Sequence, residues 1–168
     1  AALFVPSGSM GNQTAIRAHT QPGDEIIAHA DSHIYHYEGG APFALSGCSI
    51  SMMQGRGGIF DADQVRTAIR PVESHFAQSR LVIIENTHNR GGGSVWPIEQ
   101  IQEIRKVVDE FGLSMHLDGA RLMNASVASG IKPSRYAELC DTVSICFSKG
   151  LGAPVGSAVA GTTEMIRR

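Results

Sequence analysis

The residues of this chain best suited to chemistry fall at the ends of segments that read as β-strands. Lys149 stands between a buried-looking apolar segment and the glycine-rich run Gly150-Leu151-Gly152-Ala153-Pro154-Val155-Gly156. An apolar setting disfavours a lysine's charged form, lowers its pKa and lets it act as a Schiff-base amine. Asp118 ends another β-prone segment, followed by Arg121. Ser32-His33 follows a third segment, and Asn86-Thr87-His88-Asn89 follows a fourth. The turn Pro6-Ser7-Gly8-Ser9-Met10-Gly11-Asn12 follows a short apolar strand and opens a helix. There, free backbone N–H groups, hydroxyls and the positive end of a helix dipole can cradle a phosphate. The turn is not a Walker loop, not G-x-G-x-x-G, and misses the G-x-S-x-G elbow by one residue.

A phosphate cradle, a Schiff-base lysine and a carboxylate able to hold a pyridinium proton are together the requirements of a pyridoxal-phosphate (PLP) site. Singly, each has a plainer reading: Lys149 as a solvated loop residue, Asp118 as a helix N-cap and Arg121 as a surface ion pair. His33 and His36 at i, i+3 could serve a metal, but no H-E-x-x-H or cysteine pair completes such a site, so no metal is expected. The G-x-G-x-x-x-G spacing after Lys149 weakens a nicotinamide-dependent reading.

These residues need a scaffold that brings strand ends together. Short β-rich segments at 3–5, 25–29, 49–54, 80–85, 113–117, 142–147 and 156–160 alternate with amphipathic ones at 10–19, 34–45, 61–69, 120–128 and 134–139. The clearest helix follows Pro97: Ile98, Ile101, Ile104, Val107, Val108 and Phe111 recur at helical spacing, and Gly112 supplies the stop. Such alternation predicts a three-layer α/β/α domain over residues 1–168 with a mostly parallel mixed sheet, and ligands bind at the carboxyl ends of its strands. The 168 residues carry 14 Lys+Arg against 16 Asp+Glu, a formal charge of −2, with 42% hydrophobic content. That balance argues against a nucleic-acid or membrane-surface partner, and no apolar run approaches the roughly 20 residues of a bilayer span. Cys48, Cys140 and Cys146 read as reduced, mostly buried thiols of a cytoplasmic protein. The apolar opening Ala1-Ala2-Leu3-Phe4-Val5 reads as the inside of a strand, and Thr162–Arg168 as a capped helix cut short; a piece of a longer protein is expected.

The strings PSGSMGNQ from Pro6, HIYHYEGGA from His33, IRP from Ile69, HF from His75, ENTHNRGGG from Glu85, HLDGARL from His116 and SKGLGAPVGS from Ser148 carry a family resemblance. In this order, over essentially the whole chain, they resemble the low-specificity L-threonine aldolases, β-eliminating-lyase relatives among the fold-type I PLP enzymes. The resemblance implies the large cofactor-binding domain, without the N-terminal segment and the C-terminal small domain. By it, Lys149 would carry the cofactor, Asp118 would pair with the ring nitrogen, and Gly8 and Ser9 would hold the phosphate. Thr87 would be a cofactor neighbour, and Arg121, placed beside the cofactor, would bind the substrate carboxylate. His33 would stack on the ring near the substrate hydroxyl, with His75 as a second histidine there; the base could be either, or a water held by both. The implied reaction is retro-aldol cleavage of L-threonine, L-allo-threonine and related β-hydroxy-α-amino acids to glycine and an aldehyde. A phenylserine aldolase, an aromatic amino-acid β-eliminating lyase or an inactive truncated scaffold is the alternative. The partners implied are a small amino-acid substrate and further copies of the chain, as a homodimer or homotetramer.

Overall fold

The computed structural model describes residues 1–168 and contains seven strands, eight α-helices and a short 3-10 turn at Arg56–Gly58. In chain order these are β1 (Ala2–Val5), α1 (Gly8–His19), β2 (Asp24–His29), α2 (His33–His36), α3 (Ala41–Ala44), β3 (Ser49–Met53) and α4 (Ala62–Ala68). There follow β4 (Gln78–Glu85), α5 (Ile98–Glu110), β5 (Ser114–Gly119), α6 (Leu122–Ser129), α7 (Pro133–Ala137), β6 (Thr142–Cys146), β7 (Ser157–Gly161) and α8 (Thr163–Arg167). One sheet holds all strands in the order β1-β7-β6-β5-β4-β2-β3. From β3 through β6 every pairing is parallel, while β7 is antiparallel to both β6 and β1. The expected mostly parallel mixed sheet is present, and the carboxyl ends of β1, β2, β4, β5 and β6 share one edge.

Helices cover both faces, so the central strands are apolar on both sides rather than alternating. Ile27, Val82, Ile84, Met115, Leu117 and Val143 pack with Val65 of α4, Ile101, Ile104 and Val108 of α5, and Leu122 of α6. Ile26, Ala28, Leu81 and Ile83 point the other way, toward Ile16 of α1 and Ile34 of α2. β5 and β6 break that rule: on the α1 side they carry His116, Asp118, Thr142 and Ser144, all buried. The α1 helix crosses this polar stripe, packing over β6 and β7 and reaching β5 and β4.

The long helix expected after Pro97 forms as α5, and α4 opens on a capping box in which Asp61 and Gln64 each accept the other's backbone N–H. The final helix begins with the expected threonine cap, Thr162 accepting from the Met165 N–H. The continuous helix expected over 34–45 is instead two short ones. Gly39 and Gly40, at φ of 61° and 71°, turn the chain through the left-handed region between them, which glycine adopts at no steric cost.

Candidate active site

β4, β5 and the segment between β2 and α3 bring three carboxylates and a histidine together at the carboxyl edge of the sheet. Glu85 and Asp118 are register partners on adjacent strands. Glu85 accepts the His33 amide N–H on Oε2 and the Asn89 amide N–H on Oε1, both at 2.8 Å, which ties the start of α2 to the loop after β4. Burial, then the neighbouring charge of Asp118, pushes the Glu85 carboxyl up to about 7. Glu38, its side chain fully enclosed, accepts from His33 Nδ1 at 2.9 Å, Asn12 Nδ2 at 2.8 Å and Gln13 Nε2 at 2.6 Å. Asp118 accepts from Asn12 Nδ2 on Oδ2 at 2.8 Å and from the Ala120 N–H on Oδ1 at 3.1 Å. The hydrogen bond to Glu38 raises the pKa of His33 above its ordinary 6.5, with the Asp118, Glu38 and Glu85 charges reinforcing it against burial. Since Nδ1 donates to Glu38, Nε2 is the nitrogen that a deprotonated His33 offers as a base.

At the other end of the site, Ser7 caps α1 by accepting the Met10 N–H, and the Gly8 and Ser9 N–H groups have no backbone acceptor. Gly8 is there for closeness: a Cβ would lie 2.7 Å from Cys146 Sγ at the end of β6. Beyond Cys146, half-buried Lys149 sits in the turn to β7. Gly150 of that turn packs on Asn124 of α6, and Arg121, Cys146 and Gly150 line one narrow cleft. Neither Lys149 nor Arg121 is in a salt bridge. Thr87 is buried on the loop after β4.

The structure therefore gathers His33 and Asp118, and sets Gly8, Ser9, Thr87, Arg121 and Lys149 along the same edge. It does not bring His75 there. His75 precedes β4, whose eight residues put its start roughly 23 Å from Glu85. The ring is exposed, rests on Phe76 and faces Glu73 at 3.5 Å. Within one chain, His75 and His33 therefore lie at opposite edges of the sheet. The i, i+3 pair His33/His36 is not a unit either, since His36 faces Asp31 at 3.5 Å while His33 faces Glu38. Sequence reasoning missed Asn12, Glu38 and Glu85, although each lies inside a string that carried the resemblance, and it set His116 aside as structural.

Asp118 is 3% exposed and has no lysine, arginine or histidine in salt-bridge contact, and Glu38 and Glu85 have only histidines. A buried carboxylate without a cation is costly unless a positive group arrives, and a protonated pyridine nitrogen is such a group. The α1 N-terminus, with its free N–H groups, offers the complementary positive pole for a phosphate. Negative and positive poles on one edge, with an unpaired lysine beside them, fit PLP.

The chain matches the family model described as Beta-eliminating lyase over residues 1–168. It is 39% identical to a probable low-specificity L-threonine aldolase of Arabidopsis thaliana and 37% identical to the low specificity L-threonine aldolase of Escherichia coli. Both alignments cover all of this chain, and 48% and 50% of those proteins. A Caenorhabditis elegans protein of uncharacterised function is 44% identical over the whole chain and 41% of its own length. The chain thus spans about half the length of the curated relatives it matches or less. Among solved structures, a Leishmania major threonine aldolase superposes with a TM-score of 0.90 at 25% identity, covering 99% of this chain and 48% of that one. A Thermus thermophilus aspartate aminotransferase variant, at 16% identity and a TM-score of 0.76 over 99% of this chain and 42% of its own, shares the fold. With the whole chain matched by the family model and the fold that of the type I PLP enzymes, this protein belongs to the β-eliminating lyase family.

Proposed function

We propose that residues 1–168 form the PLP-binding domain of an aldolase that cleaves L-threonine, L-allo-threonine and related β-hydroxy-α-amino acids to glycine and an aldehyde. The observation that carries this reading is the buried, cation-free Asp118 beside a histidine whose Nδ1 is committed to Glu38. Lys149, Asp118, Gly8, Ser9 and Thr87 would hold the cofactor, with His33 and Arg121 beside it. Bound there, PLP supplies an electron sink that stabilises negative charge at the substrate Cα. Asp118 keeps negative charge against the ring nitrogen, and Lys149 supplies the amine that fixes the cofactor. Arg121, free of internal partners, is available to grip the substrate carboxylate through its planar fork. His33 Nε2 takes the proton of the β-hydroxyl, the group that becomes the aldehyde oxygen. With His75 at the far edge, His33 is the base that one chain provides.

The same reading makes the active species a homo-oligomer, a dimer or tetramer. Its support is exposed apolar surface: Phe4, Met10, Phe43, Leu45, Leu151 and Val155 are all exposed. A cytoplasmic setting is proposed with it, in keeping with the three free cysteines. No helix is long and apolar enough to cross a membrane.

The test is a visible absorption titration of the protein with PLP beside Lys149→Ala, followed by glycine and then L-threonine. A band that requires Lys149 and changes with glycine, with acetaldehyde released from threonine, is the expected result. An identical band in Lys149→Ala overturns the lysine assignment. Keto-acid and ammonia release in place of aldehyde favours the β-eliminating alternative.

A further inference from the structure

Under the polar face of α1 lies a chain of hydrogen bonds that the proposed reaction does not itself use. His19 Nε2 meets Thr142 Oγ1 at 2.9 Å, and Thr142 Oγ1 meets His116 Nδ1 at 2.8 Å. His116 Nε2 then meets Asn12 Oδ1 at 3.2 Å, and Ser144 Oγ meets the same oxygen at 2.8 Å. Asn12 Nδ2 donates to both Asp118 and Glu38. Every donor and acceptor site of the Asn12 amide is thus filled, in a side chain 2% exposed.

Charge fixes the direction of this chain. Ionised carboxylates only accept, so the amide nitrogen must face Asp118 and Glu38, leaving the oxygen for His116. His116 must then carry its proton on Nε2, so Nδ1 accepts from the Thr142 hydroxyl, whose oxygen accepts from His19 Nε2–H. Burial lowers the His116 pKa to about 4, so one proton and one lone pair on the ring are the working state. Asn12 also lies one turn, roughly 6 Å along the axis, from Gly8. A single helix therefore presents the phosphate-binding N–H groups and the grip on Asp118.

Resting on the reading that Asp118 meets the ring nitrogen of PLP, we propose that Asn12, oriented by Ser144 and the His19–Thr142–His116 chain, is a positioning residue that aims the Asp118 carboxylate at that nitrogen. The test compares binding of PLP and of its 1-deaza analogue, in which carbon replaces the ring nitrogen, to the purified protein and to Asn12→Leu and Asn12→Ser. Thermal melts report on folding. The wild-type protein should prefer PLP, and both variants should lose about tenfold in PLP affinity, the effect of a lost hydrogen bond to a charged group. Analogue binding should stay unchanged. Equal weakening for both ligands would make Asn12 merely structural, and no weakening would remove its role; either result overturns the proposal. A wild-type protein that binds both equally well would instead refute the Asp118–ring reading on which it stands. Independently of any cofactor, nitrogen NMR of His116 should show the Nε2–H form in the wild-type protein, and an Nδ1–H form would overturn the deduced direction.

Discussion

Two side chains show how much of the site depends on single contacts. His33 owes its raised pKa first to Glu38, and the base must be deprotonated to act. Cleavage should therefore rise with pH through a value above 6.5, and kcat/KM profiles of Glu38→Gln should place that limb at lower pH. Glutamine still accepts from Nδ1, so the lone pair stays on Nε2 and only the charge is lost. An unmoved limb would assign the titration to another group. Gly8 makes the second case. With Cys146 Sγ only 2.7 Å from the Cβ position, Gly8→Ala should cost about 1–3 kcal/mol through overpacking and weaken phosphate binding. Adding Cys146→Ala removes the sulfur and should restore most of the melting temperature. If the pair melts no higher than Gly8→Ala alone, the clash is not the cause.

At the scale of elements, α5 and the polar stripe under α1 follow opposite logics. α5 buries Ile101, Ile104 and Val108 against β5, so Ile104→Ala should destabilise by about 2–5 kcal/mol in urea melts. Val127, 87% exposed on α6, should tolerate alanine within about 0.5 kcal/mol. Similar costs at both positions would mean that α5 is not docked as described. Under α1, by contrast, β5 and β6 give up apolar contact for His116, Asp118, Thr142 and Ser144, and the loss is offset because nearly all their polar atoms are paired. A groove of ≈ 910 Å³ runs along α1, lined by Leu45 just past α3 and Ile166 of α8 among others. Ser9 lines it, whereas His33 and Asp118 do not.

For the whole molecule, the buried ionisable groups set how stability varies with pH. His88 and His116 both have their pKa lowered to about 4, chiefly by burial, so the unfolded chain protonates first as the pH falls. The stability they lend is present above 6.5 and lost on the way down to 4. Glu85, raised to about 7, works in the opposite sense, its stabilising share lost as the pH rises from 4.5 through 7. With two groups against one, unfolding free energy should fall on the order of 2 kcal/mol between pH 7 and pH 4.5. Urea melts at the two values check this, and a flat profile would mean that the histidines are not held neutral.

The sequence by itself determined the layered α/β fold, the α5 helix and the edge of the sheet at which polar residues collect. These follow from local signals: helical periodicity between Pro97 and Gly112, and polar residues after apolar strands. It also supplied Lys149, Asp118, Arg121 and His33, which stand just past strand ends. Only the tertiary structure decided which of them meet. Glu38 reaches Asn12 across 26 positions and Ser144 reaches it across 132, and no local pattern encodes such contacts. The same holds for His75: its string matched, but the length of β4 carries it to the opposite edge from Glu85. Periodicity reports which face of an element is buried, whereas a hydrogen-bonded site depends on how separate elements are registered, which is settled when α1 docks across the sheet.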